Sequence, residues 1–306
     1  MQLTKKFNLY FFIFINLIFL LAVFYLYEKH LVGNDSTISE WIINYQGGFT
    51  RRGLIGEICF KIAIYFDLNL RFVIFIFQSS LYLLFTILVY NFFKNTPKNI
   101  ISILAIYSPI FLLYPIAEIE VLARKEIFMF IAFIIFLNIS SLKISNNYLY
   151  LYIFLIFPII CLIWEPFIFF FTFILFIILL RNNTNEDFFK KIFKIFLSFS
   201  SSLLLIYFII TNLLTPEEHE IMANSLMNNF GEKCYMSCAL LKSKSSIKSQ
   251  FDSIFVSISP IVLIRYFFIL LIGFLPLLIM LYSSNLNKEI IFFSKKISLL
   301  IIFIFL

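Results

Sequence analysis

Residues 148–180 read YLYLYIFLIFPIICLIWEPFIFFFTFILFIILL, with Glu165 the only charge in the run. A membrane-crossing helix needs about 20 mostly apolar residues, so this stretch is too long for one crossing. Trp164-Glu165-Pro166 lies in its middle. Glu is costly in lipid, and Pro disfavours helical geometry in the residue before it. The run therefore predicts two short helices meeting at Trp164-Glu165-Pro166. The rest of the sequence agrees with a lipid setting. Of 306 residues 62% are hydrophobic, 20% are aromatic (44 Phe among them) and only 13% are charged. That leaves too little polar surface to cover a water-facing globule, which excludes a soluble enzyme domain, a disordered chain and a small disulfide scaffold.

Further apolar stretches at residues 9–27, 72–93, 100–116, 127–142, 195–214 and 254–282 predict more crossings. The first is longer than a signal-peptide core and no small-x-small site follows it, so it predicts an uncleaved anchor. The last ten residues, 297–306, make half a crossing, which suggests a piece of a longer protein. The expected fold is all-α: a single polytopic membrane helix bundle over residues 1–306, with about 8–9 spans. Two polar segments, 28–71 and 215–252, form its outward-facing loops. With the N-terminus in the cytoplasm, the short inside segments carry Lys5, Lys6, Lys94, Lys98, Lys143, Arg181 and Lys190, as the positive-inside rule requires. The net charge of +7 then reports orientation and contact with anionic lipid, not nucleic acid. The expected location is a bacterial cytoplasmic membrane with the site facing the periplasm.

Residues 44–57 read NYQGGFTRRGLIGE and hold four of the seven glycines of the chain. Gly47 and Gly48 allow a tight turn with close backbone approach. Arg51 and Arg52 follow at once, and guanidinium forks beside exposed N–H groups suit an anion such as phosphate. An interfacial loop whose arginines meet lipid headgroups explains the same residues. Residues 118–126 read EIEVLARKE. Here Glu118 and Glu120 offer carboxylates to a divalent cation or a sugar hydroxyl, and Arg124 and Lys125 offer charge to a diphosphate. A helix joined by a Glu120–Arg124 pair at i, i+4 explains them equally well. Glu165 is a candidate general base, with Arg51, Arg52 or Arg124 as partner. Asp35 and Glu40 are further candidate bases in the first loop. Trp41, Tyr45 and Phe49 read as an interfacial belt or as sugar-stacking rings. His219 reads as exposed. Cys234 and Cys238, four apart, are compatible with a small disulfide loop or with two free thiols. With two histidines far apart in sequence, no zinc signature is visible. Residues 254–282 contain Arg265, which needs a partner or snorkels.

The run Gly47-Gly48-Phe49-Thr50-Arg51-Arg52-Gly53-Leu54-Ile55-Gly56-Glu57 resembles a motif of multi-spanning bacterial proteins of O-antigen and capsule assembly. Arg124-Lys125-Glu126 and Glu165 resemble their companion motifs. Thr50 stands where that pattern has Val, and Ala123 where it has Gly. The resemblance implies a polysaccharide repeat-unit polymerase or a C-type membrane glycosyltransferase. Its partners are then a polyprenyl-linked oligosaccharide, membrane lipid and other assembly proteins. It further implies that Arg51, Arg52, Arg124 and Lys125 hold the diphosphate while Glu165 or Glu40 deprotonates the acceptor. No cofactor is required, a divalent cation being optional. A transporter or flippase of lipid-linked glycan, using the same arginines without a base, and a non-catalytic assembly subunit are the alternatives.

Overall fold

A computed structural model describes residues 2–32, 36–96, 103, 106–107, 111–117, 121–122, 124–142, 144–181, 188–242 and 259–283. Among these the chain is helical, with no strand. The principal helices are α1 (Gln2–Leu31), α2 (Gly53–Tyr65), α3 (Leu70–Asn95), α4 (Glu126–Ser141), α5 (Asn146–Ile163), α6 (Phe171–Leu180), α7 (Phe188–Thr211), α8 (Pro216–Phe230) and α9 (Pro260–Ser283). Four segments are long and apolar enough to cross a membrane: Phe7–Leu31, Leu70–Asn95, Asn146–Ile163 and Phe189–Thr211. α4 and the start of α9 are apolar but shorter. The chain is a membrane-embedded helical protein. Asp35, Glu118 and Glu120 lie outside the described residues, as do residues 100–102, 104–105, 108–110 and 297–306.

The burial pattern is that of a bundle in lipid. On α1 the buried residues Phe11, Ile15, Ile18, Ala22 and Leu26 form a stripe at helical spacing. The opposite face exposes Leu9, Phe12, Leu17, Leu20 and Phe24. A helix apolar on its inner and outer faces finds a suitable solvent only in hydrocarbon. The stripe packs on α3, α3 on α4, α4 on α5, and α5 on α7. Asn69 starts α3 by accepting from the N–H groups of Arg71 and Phe72, the ordinary N-cap arrangement.

The 148–180 run breaks where expected, with α5 ending at Ile163 and the break beginning at Trp164. Trp164 is extended at φ −154°, ψ 96°, and Glu165–Phe170 forms a 3-10 turn with Pro166 in its first positions. There the missing proline N–H costs nothing, because no earlier carbonyl needs it. α6 then returns antiparallel to α5. Arg181 at its end donates from Nη2 to the carbonyls of Leu142 and Ile144, at 2.6 and 2.5 Å, just before α5 begins. The 3-10 turn and α6 together span about 27 Å, close to a bilayer core.

Pro158 sits inside α5, where it cannot donate to the Phe154 carbonyl four residues back. Ser201 of α7 donates to that carbonyl instead, at 2.8 Å. In lipid no water is present to do so, and a neighbouring helix must.

The helices alternate so that the loops sort into two ends. Phe49 touches Phe208 at the end of α7, and Arg71 at the start of α3 reaches the Val32 carbonyl after α1. Lys125 at the start of α4 reaches the first loop, and Glu165 reaches Arg52. These contacts define one end, here called the loop end. Lys94, Arg181, Lys190 and Lys194 close helices or begin them at the other end.

Candidate functional site

The loop after α1 is built to hold two arginines. Tyr45 N–H donates to Glu57 Oε2 and Gln46 Nε2 to Glu57 Oε1, both at 2.9 Å. Glu57 of α2 thus ties down the start of the glycine turn. Gly47 is where two backbones meet: a Cβ there would lie 1.9 Å from the Glu218 carbonyl oxygen of α8. Gly56 does the same beneath the Ile43 carbonyl, at 1.8 Å. Gly48 has φ +133°, and its N–H is committed to the Tyr45 carbonyl at 3.0 Å. Gly47 and Gly48 therefore shape the turn and dock α8, and the arginines lie beyond them. Thr50 is buried, so an isostere of Val fills an enclosed position.

Arg52 ends the loop with φ 62°, a left-handed conformation that is unusual outside glycine. It costs a non-glycine residue about 1–2 kcal/mol. The ammonium group of Lys125 donates to the Arg52 carbonyl and fixes that turn. Lys125 has no exposed surface. Burial pushes it down to about 7 from an ordinary 10.5, against the nearby Glu40 charge, which raises it. Placed beneath the arginine turn, it is sealed from solvent and positions Arg52.

Three segments far apart in sequence converge here. Arg52 Nε donates to Glu165 Oε2 at 2.8 Å, and Arg52 Nη1 to Glu40 Oε1 at 3.0 Å. Arg51 pairs with Glu165 Oε1 at 3.7 Å. Arg124 reaches Glu40 Oε1 at 3.3 Å and Glu126 Oε1 at 3.6 Å. With Lys125 protonated, four cations face three carboxylates. The cluster has a floor and a mouth. The Glu40 side chain is 2% exposed, while those of Arg51 and Arg124 are 38% and 39% exposed. Among the described residues, Oε2 of Glu40 and Oε2 of Glu126 have no hydrogen-bond partner, so the network is not closed on itself. Glu165 is held by the Arg52 hydrogen bond and the Arg51 charge, so it becomes a useful base only when another anion takes over its arginines.

Compared with known proteins, the chain matches no family model, no curated sequence and no solved structure. The site is therefore read from its own geometry.

Of the residues singled out from sequence, Glu40, Arg51, Arg52, Arg124, Lys125 and Glu165 come together. Glu126, the third carboxylate, and Glu57, which organises the loop, were not singled out. Both stand inside the quoted motifs, which was the available signal. Trp41 is fully buried between Phe77 and Phe128, so it is a core residue and neither a belt nor a stacking platform. His219 is also buried, with Nε2 3.1 Å from the Cys238 carbonyl oxygen, which corrects the expectation of exposure. Cys234 and Cys238 form a disulfide, and Cys59 and Cys161 are buried free thiols.

Proposed function

We propose that the chain transfers sugar from a polyprenyl-diphosphate carrier to an acceptor hydroxyl at the outer face of a bacterial cytoplasmic membrane, within a bundle of about 8–9 crossings. The reaction belongs to O-antigen or capsule assembly, most directly as polymerisation of repeat units. The observation that carries this reading is the convergence of Arg51, Arg52 and Arg124 on Glu40 and Glu165 at the loop end, with two of the guanidinium groups open to a ligand.

A diphosphate arriving from the leaflet meets Arg51 and Arg124 at the mouth and displaces Glu165 from Arg52. Bidentate guanidinium contacts then stabilise the charge that develops on the departing diphosphate. Glu165, the more accessible of the two central carboxylates, is released to accept the proton of the acceptor hydroxyl. The acceptor oxygen forms the new bond to the anomeric carbon as the bond from that carbon to the phosphate oxygen breaks. The electron pair leaves with the diphosphate. Glu40 stays beneath, keeping Arg52 and Arg124 in register.

The test is the lipopolysaccharide or capsule banding pattern of a strain lacking the gene, rescued with wild type, Arg52→Ala or Glu165→Gln at matched protein level. A ladder that collapses to a single repeat unit, rescued by wild type alone, supports the polymerase. Loss of every band points to a single-sugar transferase or a flippase. Full rescue by both variants leaves an assembly subunit without catalysis, and an unchanged pattern on deletion overturns the glycan reading.

A further inference from the structure

We propose that His219, Cys234 and Cys238 form a redox-gated site for one soft, thiophilic cation of the Zn2+ class. The inference does not depend on sugar transfer. The three donor atoms lie within 4.8 Å of one another. They come from two segments: the first turn of α8, which carries His219, and the chain just past Gly231, which carries both cysteines. His219 and Cys238 are buried. His219 Nε2 is 3.4 Å from Cys234 Sγ. A tetrahedral zinc site, with metal–sulfur near 2.3 Å and metal–nitrogen near 2.05 Å, separates sulfur from nitrogen by ~3.6 Å. That pair of donors therefore already stands at ligand spacing. Two thiolates and an imidazole form a donor set that suits zinc.

In the disulfide state neither sulfur is a ligand, and the Nε2–H of His219 donates to the Cys238 carbonyl. A dithiol or phosphine reductant opens the site. A phosphine gives two electrons to the S–S bond and takes oxygen from water, leaving as phosphine oxide and producing two thiols. The cation binds both sulfurs as thiolates and their protons go to solvent. It takes the Nε2 lone pair once the imidazole proton is on Nδ1. Water completes the fourth position.

The location gives the site a consequence. The residue before His219 is Glu218, whose carbonyl lies against Gly47, and Gly47 is on the loop that bears Arg51 and Arg52. Either bond, sulfur to sulfur or both sulfurs and imidazole to metal, ties α8 to the following segment and supports that loop. Loss of both frees α8.

The experiment uses the full chain in detergent, reduced with a phosphine, which does not compete for zinc, and then dialysed against Zn2+. The reduced wild type is expected to hold about one Zn2+ per chain, and Co2+ in its place to give thiolate-to-metal charge-transfer absorption. The oxidised wild type, reduced His219→Gln and reduced Cys238→Ser are expected to bind far more weakly. Their loss should exceed the roughly 10–100-fold that even outer-shell changes cause. His219→Gln keeps both cysteines, so disulfide formation in its oxidised form reports correct folding. The proposal is overturned if the reduced wild type takes up no zinc. It is equally overturned if uptake persists in folded His219→Gln and in Cys238→Ser, which would assign the metal to surface groups or to Cys59 and Cys161.

Discussion

Arg71 and Arg52 each meet a carboxylate more than a hundred residues away, and both pairs sit at the loop end of the bundle. Arg71 forms a closed fork. Its Nε and Nη2 go to the two oxygens of Glu232, and its Nη1 donates to the Val32 carbonyl at 2.7 Å. Every carboxylate oxygen is used, and the pair joins α1, α3 and the segment after α8. Arg52 instead divides itself between Glu40 and Glu165. Around it two other guanidinium groups are partly exposed, and among the described residues Glu40 Oε2 and Glu126 Oε2 have no hydrogen-bond partner. A structural ion pair closes its hydrogen bonds because each one left open in a dry setting costs free energy. A binding site keeps charge and hydrogen-bonding capacity in reserve for a ligand. The Arg52 cluster keeps that capacity and the Arg71 pair does not, which is why the proposed transfer is assigned to the Arg52 cluster.

Five variants break or sharpen that contrast. The largest effect is expected for Arg52→Ala, which removes the 2.8 Å partner of Glu165 and leaves the nearly closed Glu40 only its longer 3.3 Å contact with Arg124. Breaking a buried pair in this way costs about 3–5 kcal/mol, visible as a lower thermal midpoint in detergent, together with loss of the ladder. Arg52→Lys keeps the charge but not the fork, so it should restore much of the stability and little of the activity. If it restored both equally, the site would be only electrostatic. Glu232→Gln should cost about 1–3 kcal/mol of stability and leave the ladder intact. Loss of the ladder in a stably folded Glu232→Gln protein would erase the distinction between the two junctions.

Lys125 gives a pH signature. Its folded value of about 7 lies below the ordinary 10.5, so between those values the unfolded chain binds more protons. Stability therefore rises with pH across that window, by at most about 1.4 kcal/mol per unit. The penalty of burying the charged amine is fully present below pH 7. Lys125→Met should flatten the rise, and a parallel pH profile for the variant would assign the slope to another group. The smallest effect is expected at Ser201. Ser201→Ala removes the neutral hydrogen bond that replaces the one lost at Pro158. It should lower stability by about 1 kcal/mol without touching the ladder.

Much of the architecture was legible. The break at Trp164-Glu165-Pro166 follows from one carboxylate and one proline inside a hydrocarbon-length run, and both effects are local. The glycine–arginine motif, Arg124-Lys125 and Glu165 stood out because charge is expensive beside lipid wherever the chain folds. Their individual roles were not legible. Arg124 and Lys125 are neighbours in sequence, yet one guanidinium opens to solvent while the other side chain is sealed under the Arg52 carbonyl. Gly47 and Gly48 read as a phosphate cradle, but Gly47 lies against the backbone of α8, an element some 170 residues later, and Gly48 against the Glu218 side chain of that helix. His219 read as exposed because its neighbours Glu217, Glu218 and Glu220 are acidic; only its position in the first turn of α8 turns it inward toward the cysteines.

By itself the sequence determined the solvent of this protein, its helical character, the hairpin at Glu165 and the short list of charges worth watching. Hydropathy, proline geometry and the cost of burying charge act within a few residues, so those features needed no fold. Only the tertiary structure decided which carboxylate meets which arginine, which lysine lies beneath the turn, and that a buried imidazole faces a disulfide. Most of those pairings join segments twelve to more than a hundred and sixty residues apart. Electrostatic and hydrogen-bond energies depend on distances of a few ångströms, and no spacing along the chain encodes them.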